Sequence, residues 1–279
     1  MNSEKIYDII DKEFVDCFVK LVNEECTQIR KPKYSIEYYL YYIILVLTDL
    51  KAWRSLTLLH SDKPKNHYKT IQDKHLEWSQ KNLYEKAYKE INKKYHQSNY
   101  KRSANLTLFI DSTNIYNKNG NEKIGYGHNP KKQESRISVI CDSKLNIHSL
   151  TLITTKQKTP IKKTIPYDNQ TIDESLINLN PTDLKYKTLN LVGDKGYAIK
   201  VAKKLELKQK YNVNMVYPHR KNQRIKTPIK HKLLLKKRYV IENVNAKLKV
   251  YDRICLRKDR KECTYMGFAY LAAMLIFKK

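Results

Sequence analysis

The sequence predicts an α/β protein, a mixed sheet with flanking helices, preceded by a small all-α segment. Three observations carry this. Residues 1 to about 100 follow a helical pattern of apolar spacing. Short apolar strands begin near residue 105, and from there the elements run β-β-β-α-β-α-β-α. That order mixes hairpin-linked strands with strands joined by crossover helices. A domain boundary is expected near residue 100, giving segments 1–100 and 101–279.

In the first segment, "SIEYYLYYIILVLTDLKAWRSLTLL" starts at Ser35, a good N-cap, and stays apolar for several turns. The turn-rich "SDKPKNHYK" follows. Ile71, Leu76, Leu83, Ala87 and Ile91 then mark two amphipathic helices broken near Ser79. Short helices joined by basic turns suit a helix-turn-helix DNA reader. They suit a plain helical bundle equally well.

From residue 105, "NLTLFIDST" reads as a strand ending in Asp111. "SRISVICDS" and "NIHSLTLITT" form a hairpin through "DSKLN". After a polar linker over 155–170, a helix starts near Asp173. "KTLNLVGDKGY" is a strand ending in Asp194, "AIKVAKKLELKQKY" a helix and "VNMVYP" a strand. A basic loop, a long helix over 232–251 and the apolar helix "ECTYMGFAYLAAMLIF" complete the chain. No internal repeat is found.

The formal charge is +27, from 55 Lys and Arg against 28 Asp and Glu. Such an excess implies a polyanionic partner, with nucleic acid the leading candidate. An AT-rich codon bias, visible in the 22 tyrosines, accounts for part of the lysine but not for its placement. Residues 200–261 hold 21 of the cations and only 4 acids. The five cysteines form no C-x-x-C pair, which argues against a zinc site or a disulfide framework. No signal peptide is recognisable, and the longest uncharged runs are shorter than the roughly 20 residues that cross a bilayer. A soluble intracellular protein is expected: cytoplasmic in a bacterium, or inside a host cell if viral.

The acids divide by context. Asp142 reads as part of a hairpin turn and Asp173 as a helix N-cap. Asp111 and Asp194 follow runs apolar enough to be central strands, and side chains at the C-terminal ends of such strands meet at one sheet edge, where ligands bind. Either could instead cap a turn. Glu242 is the exception in "LLLKKRYVIENVNAKLK", one acid among Lys236, Lys237, Arg238, Lys247 and Lys249. Arg238, Glu242 and Lys249 lie at i, i+4 and i+11, on one face of a continuous helix. An i,i+4 ion pair is worth only about 0.2–0.5 kcal/mol and would not require so many cations. A metal-binding carboxylate flanked by phosphate-gripping cations would. Three clustered carboxylates repel one another unless divalent cations neutralise them.

These residues resemble a known family. Arg238-x3-Glu242-x6-Lys249 matches three members of the Tyr-x2-Arg-x3-Glu-x6-Lys signature of DDE transposases of the bacterial insertion-sequence four/five superfamily. "LFIDST" and "VGDKGY" resemble that family's first and second acidic motifs. The resemblance implies an RNase H-like core over 101–279, with a helical DNA-end-binding domain over 1–100. Asp111, Asp194 and Glu242 would hold two Mg²⁺ ions, with Mn²⁺ a substitute, and would catalyse strand cleavage at mobile-element ends and transfer into target DNA. Arg238, Lys249, Lys237 and Lys236 would bind the double-stranded DNA of element ends and target. A homodimer or larger assembly on DNA is implied, with no membrane partner. Two departures stand out. Leu235 occupies the signature tyrosine position, and the 47 residues between Asp194 and Glu242 leave no room for the large β insertion of some relatives.

The alternative is a transposase-derived DNA-binding protein without strand-transfer activity. Retention of all three acids favours the enzyme. A basic nucleic-acid-coating protein ranks third, because the tyrosines cluster in helical segments such as "EYYLYY" rather than on a stacking surface.

Overall fold

The computed structural model describes residues 5–26, 33–50, 52–59, 63–99, 105–127, 132–157, 163–179, 188–219 and 227–277. Most of the basic loop expected after residue 219 lies outside the described residues. The chain forms two compact units. One contains Met1–Ile91, Lys118–Glu122 and Leu248–Ile276; the other contains Asn92–Asn117, Lys123–Lys247 and Phe277–Lys279.

The first unit opens with α1 (Lys12–Glu25), capped by Asp11, whose Oδ1 accepts the Glu13 N–H at 2.8 Å. Its buried stripe is Phe14, Val15, Phe18 and Val22. Ser35 caps α2 (Ile36–Leu45) as expected, its Oγ accepting the Tyr38 N–H at 3.2 Å. The helix is shorter than its apolar run suggests and gives way to a π turn at Val46–Leu50 and a 3-10 turn at Trp53–Leu58. α3 (Tyr68–Gln80) and α4 (Leu83–Asn99) break just past Ser79, at Lys81–Asn82, where Asn82 adopts φ 55°.

The second unit holds the sheet. β1 (Leu106–Asn117), β2 (Gly125–Tyr126), β3 (Gln133–Cys141), β4 (Ile147–Leu152), β5 (Lys156–Gln157) and β6 (Lys163–Thr164) come first. α5 (Ile172–Ile177), β7 (Leu189–Val192), α6 (Val201–Tyr211) and β8 (Val213–Val216) follow. The order across the sheet is β5-β6-β2-β3-β1-β7-β8, with β4 also paired to β3. β3 is antiparallel to β1 and β4, whereas β7 is parallel to β1 and β8 to β7. An antiparallel β1-β3-β4 meander extended by two parallel crossover strands is the mixed sheet of an RNase H-like core. One face of β1 sends Leu106, Leu108 and Ile110 into a core with Leu189, Leu191, Val213 and Met215, closed by Ile172, Leu176 and Leu207 from α5 and α6. Strand alternation turns Phe109 and Asp111 to the other face.

Of the two acids expected in local roles, one differs. Asp173 lies in the first turn of α5 rather than at the N-cap, which is Thr171, and pairs with Lys203 at 2.7 Å. Asp142 does sit in the hairpin turn, where its Oδ1 accepts the N–H groups of Lys144 and Asn146 at 2.8 and 3.1 Å.

The long helix expected over 232–251 is two helices, α7 (Ile229–Lys236) and α8 (Tyr239–Lys249), separated at Lys237 and Arg238. Arg238 therefore immediately precedes α8 instead of lying inside one continuous helix with Glu242 and Lys249. α9 (Asp252–Cys255) and α10 (Glu262–Ile276) belong to the first unit. α10 is apolar on nearly every side and needs helical neighbours all round. Gly267 permits the close approach, since a Cβ there would lie 2.6 Å from Ser79 Oγ and 3.1 Å from His75 Cε1. His75 is buried, with Nδ1 3.0 Å from the Tyr84 hydroxyl and Nε2 3.1 Å from the Thr264 carbonyl. Burial lowers its pKa to about 3, so it is neutral. Residues 248–276 fall in the same compact unit as the N-terminal helices, on the other side of the expected division at residue 100.

Candidate active site

The parallel pairing of β1 with β7 sets two of the expected acids side by side. The pairs run from Leu106↔Leu189 to Phe109↔Val192, and the same offset carried two residues further aligns Asp111 with Asp194. β7 ends at Val192, so Asp194 sits just past its C-terminal end. Asp111 does not close its strand. β1 continues to Asn117 because β3 pairs with it as far as Tyr116↔Glu134, with Asp111 opposite Val139.

The glycines of "VGDKGY" have physical reasons. A Cβ on Gly193 would lie 2.8 Å from the ring of Tyr197, a fully buried side chain. Asp194 caps the turn Lys195–Tyr197, its Oδ1 accepting the Gly196 N–H at 2.7 Å. The local capping role considered for this residue is therefore present. A Cβ on Gly196 would meet Asp168 Oδ2 at 2.6 Å and Asp194 Oδ1 at 2.9 Å. These two carboxylates thus converge on one point.

Asp168 was not singled out by the sequence. It lies in the polar linker, and only the tertiary fold brings it to this edge. Its Oδ1 accepts from the Ser112 hydroxyl, next to Asp111, and from Arg136 Nη1 at 3.0 Å. Asp111 is three-quarters buried, and burial is the main cause of its raised pKa. Arg238 pulls it down, whereas Asp194 and Asp168 push it up.

Glu242 lies in the first turn of α8 and is more than half exposed. It forms the i,i+4 ion pair weighed above: Arg238 Nη2 donates to Glu242 Oε1 at 2.5 Å. The same guanidinium places Nη1, which is buried and makes no hydrogen bond among the described residues, 4.0 Å from Asp111 Oδ1. One turn along α8, Asn245 Nδ2 donates to Asp111 Oδ2 at 3.0 Å. The only sequence signal for Asn245 is its spacing of three from Glu242. Lys236 ends α7 and is exposed, as is Lys237; Lys249, the last residue of α8, is exposed and belongs to the first unit.

Asp111, Asp194 and Asp168 are therefore electrostatic neighbours, and Glu242 connects to Asp111 through Arg238. Carboxylate oxygens are the donors that Mg²⁺ and Mn²⁺ take, so the donor chemistry fits a hard cation. The arrangement does not gather them: among the described residues, no three His, Cys, Asp or Glu side chains are placed to hold a metal ion together.

Residues 102–275, more than half of the chain, match the family described as the transposase DDE domain. The chain belongs to the DDE transposases. No curated protein sequence matches this transposase. Among solved structures, a piggyBac transposase synaptic complex with hairpin DNA is similar at 15% identity and a TM-score of 0.41, over 80% of this chain and 51% of that one. The transposase here thus spans about half the length of that chain. A pre-cleavage Mos1 transpososome is similar at 11% identity and a TM-score of 0.27, over 87% of this chain and 82% of that one. Neither likeness carries a residue role to this transposase. No helix among its described residues is long and apolar enough to cross a membrane.

Proposed function

We propose that this transposase cleaves DNA at the ends of a mobile element and transfers the freed 3′-hydroxyl into target DNA, with Asp111, Asp194 and Glu242 as its catalytic acids. The observation that supports this most directly is that Asp194, just past the end of β7, is an electrostatic neighbour of Asp111 on the adjacent strand. Glu242 is reached from Asp111 across one arginine side chain. The acids would hold two Mg²⁺ ions, or Mn²⁺ in their place. Bound there, the divalent cations would supply activation of the attacking water or hydroxyl and charge stabilisation at the leaving oxygen in phosphodiester displacement.

The remaining chemistry belongs to the chain. Asp111, buried and crowded by two acids, gains more from a neighbouring cation than an exposed carboxylate would. Arg238 holds Glu242 in the absence of DNA. A backbone phosphate is a bidentate partner for guanidinium and competes for it, releasing Glu242 toward Asp111. Lys236, Lys237 and Lys249 grip further phosphates of double-stranded DNA, and paired ends bring two or more copies together.

A second reading, a DNA-binding protein derived from a transposase and lacking strand transfer, is favoured by one observation: Glu242 is paired with Arg238 rather than grouped with the aspartates. A nicking assay on DNA carrying the inverted repeats beside the gene separates the two. The enzyme cuts only with Mg²⁺ or Mn²⁺ and is silenced by Asp111→Asn, Asp194→Asn or Glu242→Gln. The binder retains the DNA uncut with either metal, and a variant that cuts normally removes its residue from the triad.

A further inference from the structure

Asp111 offers two carboxylate oxygens, and this fold treats them differently. Oδ1 lies 4.0 Å from Arg238 Nη1, beyond hydrogen-bond distance, and the carboxylate also takes a backbone hydrogen bond from Ser112. Oδ2 accepts a 3.0 Å hydrogen bond from Asn245 Nδ2. The amide orientation is fixed by chemistry, because a carbonyl oxygen turned toward a carboxylate would be repelled. Asn245 is only 8% exposed, and its remaining polar atom, Oδ1, is buried with no hydrogen-bond donor among the described residues. A buried acceptor left without a donor costs about 1–3 kcal/mol, so its retention beside a reactive carboxylate calls for a ligand-side explanation.

We infer that Asn245 is a positioning residue of the acid site. Its amide N–H fixes one oxygen of Asp111 so that the other is presented to a divalent cation, and its carbonyl is a ready acceptor for an O–H group, from water or a DNA 3′-hydroxyl, brought to the same place. This rests on the proposed metal-binding role of Asp111. A partner that orients a liganding carboxylate typically changes metal affinity by about 10–100-fold when removed. Because α8 carries both Glu242 and Asn245, the same helix supplies an acid to the site and fixes the acid contributed by β1.

The alternative is that Asn245 merely ties α8 to β1. Metal binding distinguishes the two without relying on catalysis. Mn²⁺ binding to the full-length, DNA-free protein is followed by the loss of the free-ion EPR signal, alongside circular dichroism and thermal unfolding in metal-free buffer. Asn245→Leu keeps the branched shape and removes both polar atoms; Asn245→Ser supplies a hydroxyl donor in place of the amide. The expected result is a 10–100-fold weaker Mn²⁺ affinity for Asn245→Leu, partly restored in Asn245→Ser, with both folded and unfolding cooperatively. Should Asn245→Leu fail to fold, a folded Asn245→Ala variant that binds Mn²⁺ within twofold of wild type overturns the inference. A folded Leu variant with wild-type affinity overturns it equally. If Asp111→Asn abolishes Mn²⁺ binding while Asn245 variants do not, only the positioning role is lost. If wild type binds no Mn²⁺, the metal reading of the acids falls first and this inference with it.

Discussion

Arg238 and Glu242 form a 2.5 Å ion pair across one turn, and the other arm of the same guanidinium reaches toward Asp111. An arginine thus stands where the proposed function needs a metal ion. Because Glu242 is more than half exposed, the pair is worth no more than a surface ion pair, about 0.2–1 kcal/mol. That is small enough for a phosphate to break.

Arg238→Gln should therefore tighten Mn²⁺ binding to the DNA-free protein by up to about fivefold, the equivalent of that pair, while weakening binding to end DNA. Titrating metal and DNA separately checks both arms. Weaker metal binding in this variant would mean that Arg238 supports the acids rather than competing for them.

Gly196→Ala forces a methyl group to within 2.6 Å of Asp168 Oδ2 and 2.9 Å of Asp194 Oδ1. Those carboxylates are side-chain ends and can yield, so the fold should survive with nearly unchanged unfolding. The acids would move by several tenths of an ångström or more, and misplacement near 1 Å costs on the order of 100-fold in rate. Metal-dependent nicking measured beside thermal unfolding tests this, and full activity would show that Asp194 works from another position.

The raised pKa of Asp111 has a consequence for stability. A carboxyl whose folded pKa lies above its unfolded value favours folding at low pH, where it is protonated. That contribution is lost as pH rises through the folded value. In metal-free buffer, Asp111→Asn should be more stable than wild type to urea at pH 7, and the difference should vanish once the pH falls below the ordinary aspartate range. A gap that persists in acid would trace to packing rather than charge.

Replacing Lys236 and Lys237 together with glutamine should lower DNA affinity for all sequences alike. The slope of log affinity against log salt should flatten by about two, roughly 0.9 per phosphate contact. Lys249→Gln should flatten it by about one. Unchanged slopes would remove these lysines from the DNA interface.

Much of this was legible in the sequence, for reasons that differ by element. The apolar runs before Asp111 and Asp194 gave both central strands, and the hairpin through Asp142 followed from its turn chemistry. The polar residues after Asp111 concealed the rest of β1, because β3 pairs with that stretch regardless of its composition. No Gly or Pro marks the break at Lys237 and Arg238, so a periodic pattern ran across it unseen. Asp168 sits where no periodicity exists; its place beside Asp194 is created by the loop ahead of α5 and cannot be read from spacing. α10 announced its burial through composition, but not which helices would bury it.

Leu106 to Asp111 and Leu189 to Asp194 are spans of equal length, started in step by one pair of neighbouring leucines. They work as two matched rulers. Deleting a single apolar codon from the first would leave the charge unchanged, yet would carry Asp111 onto the opposite face of β1. On the proposed function, such a loss in a lineage of copied elements would produce descendants that still grip their own ends and no longer move.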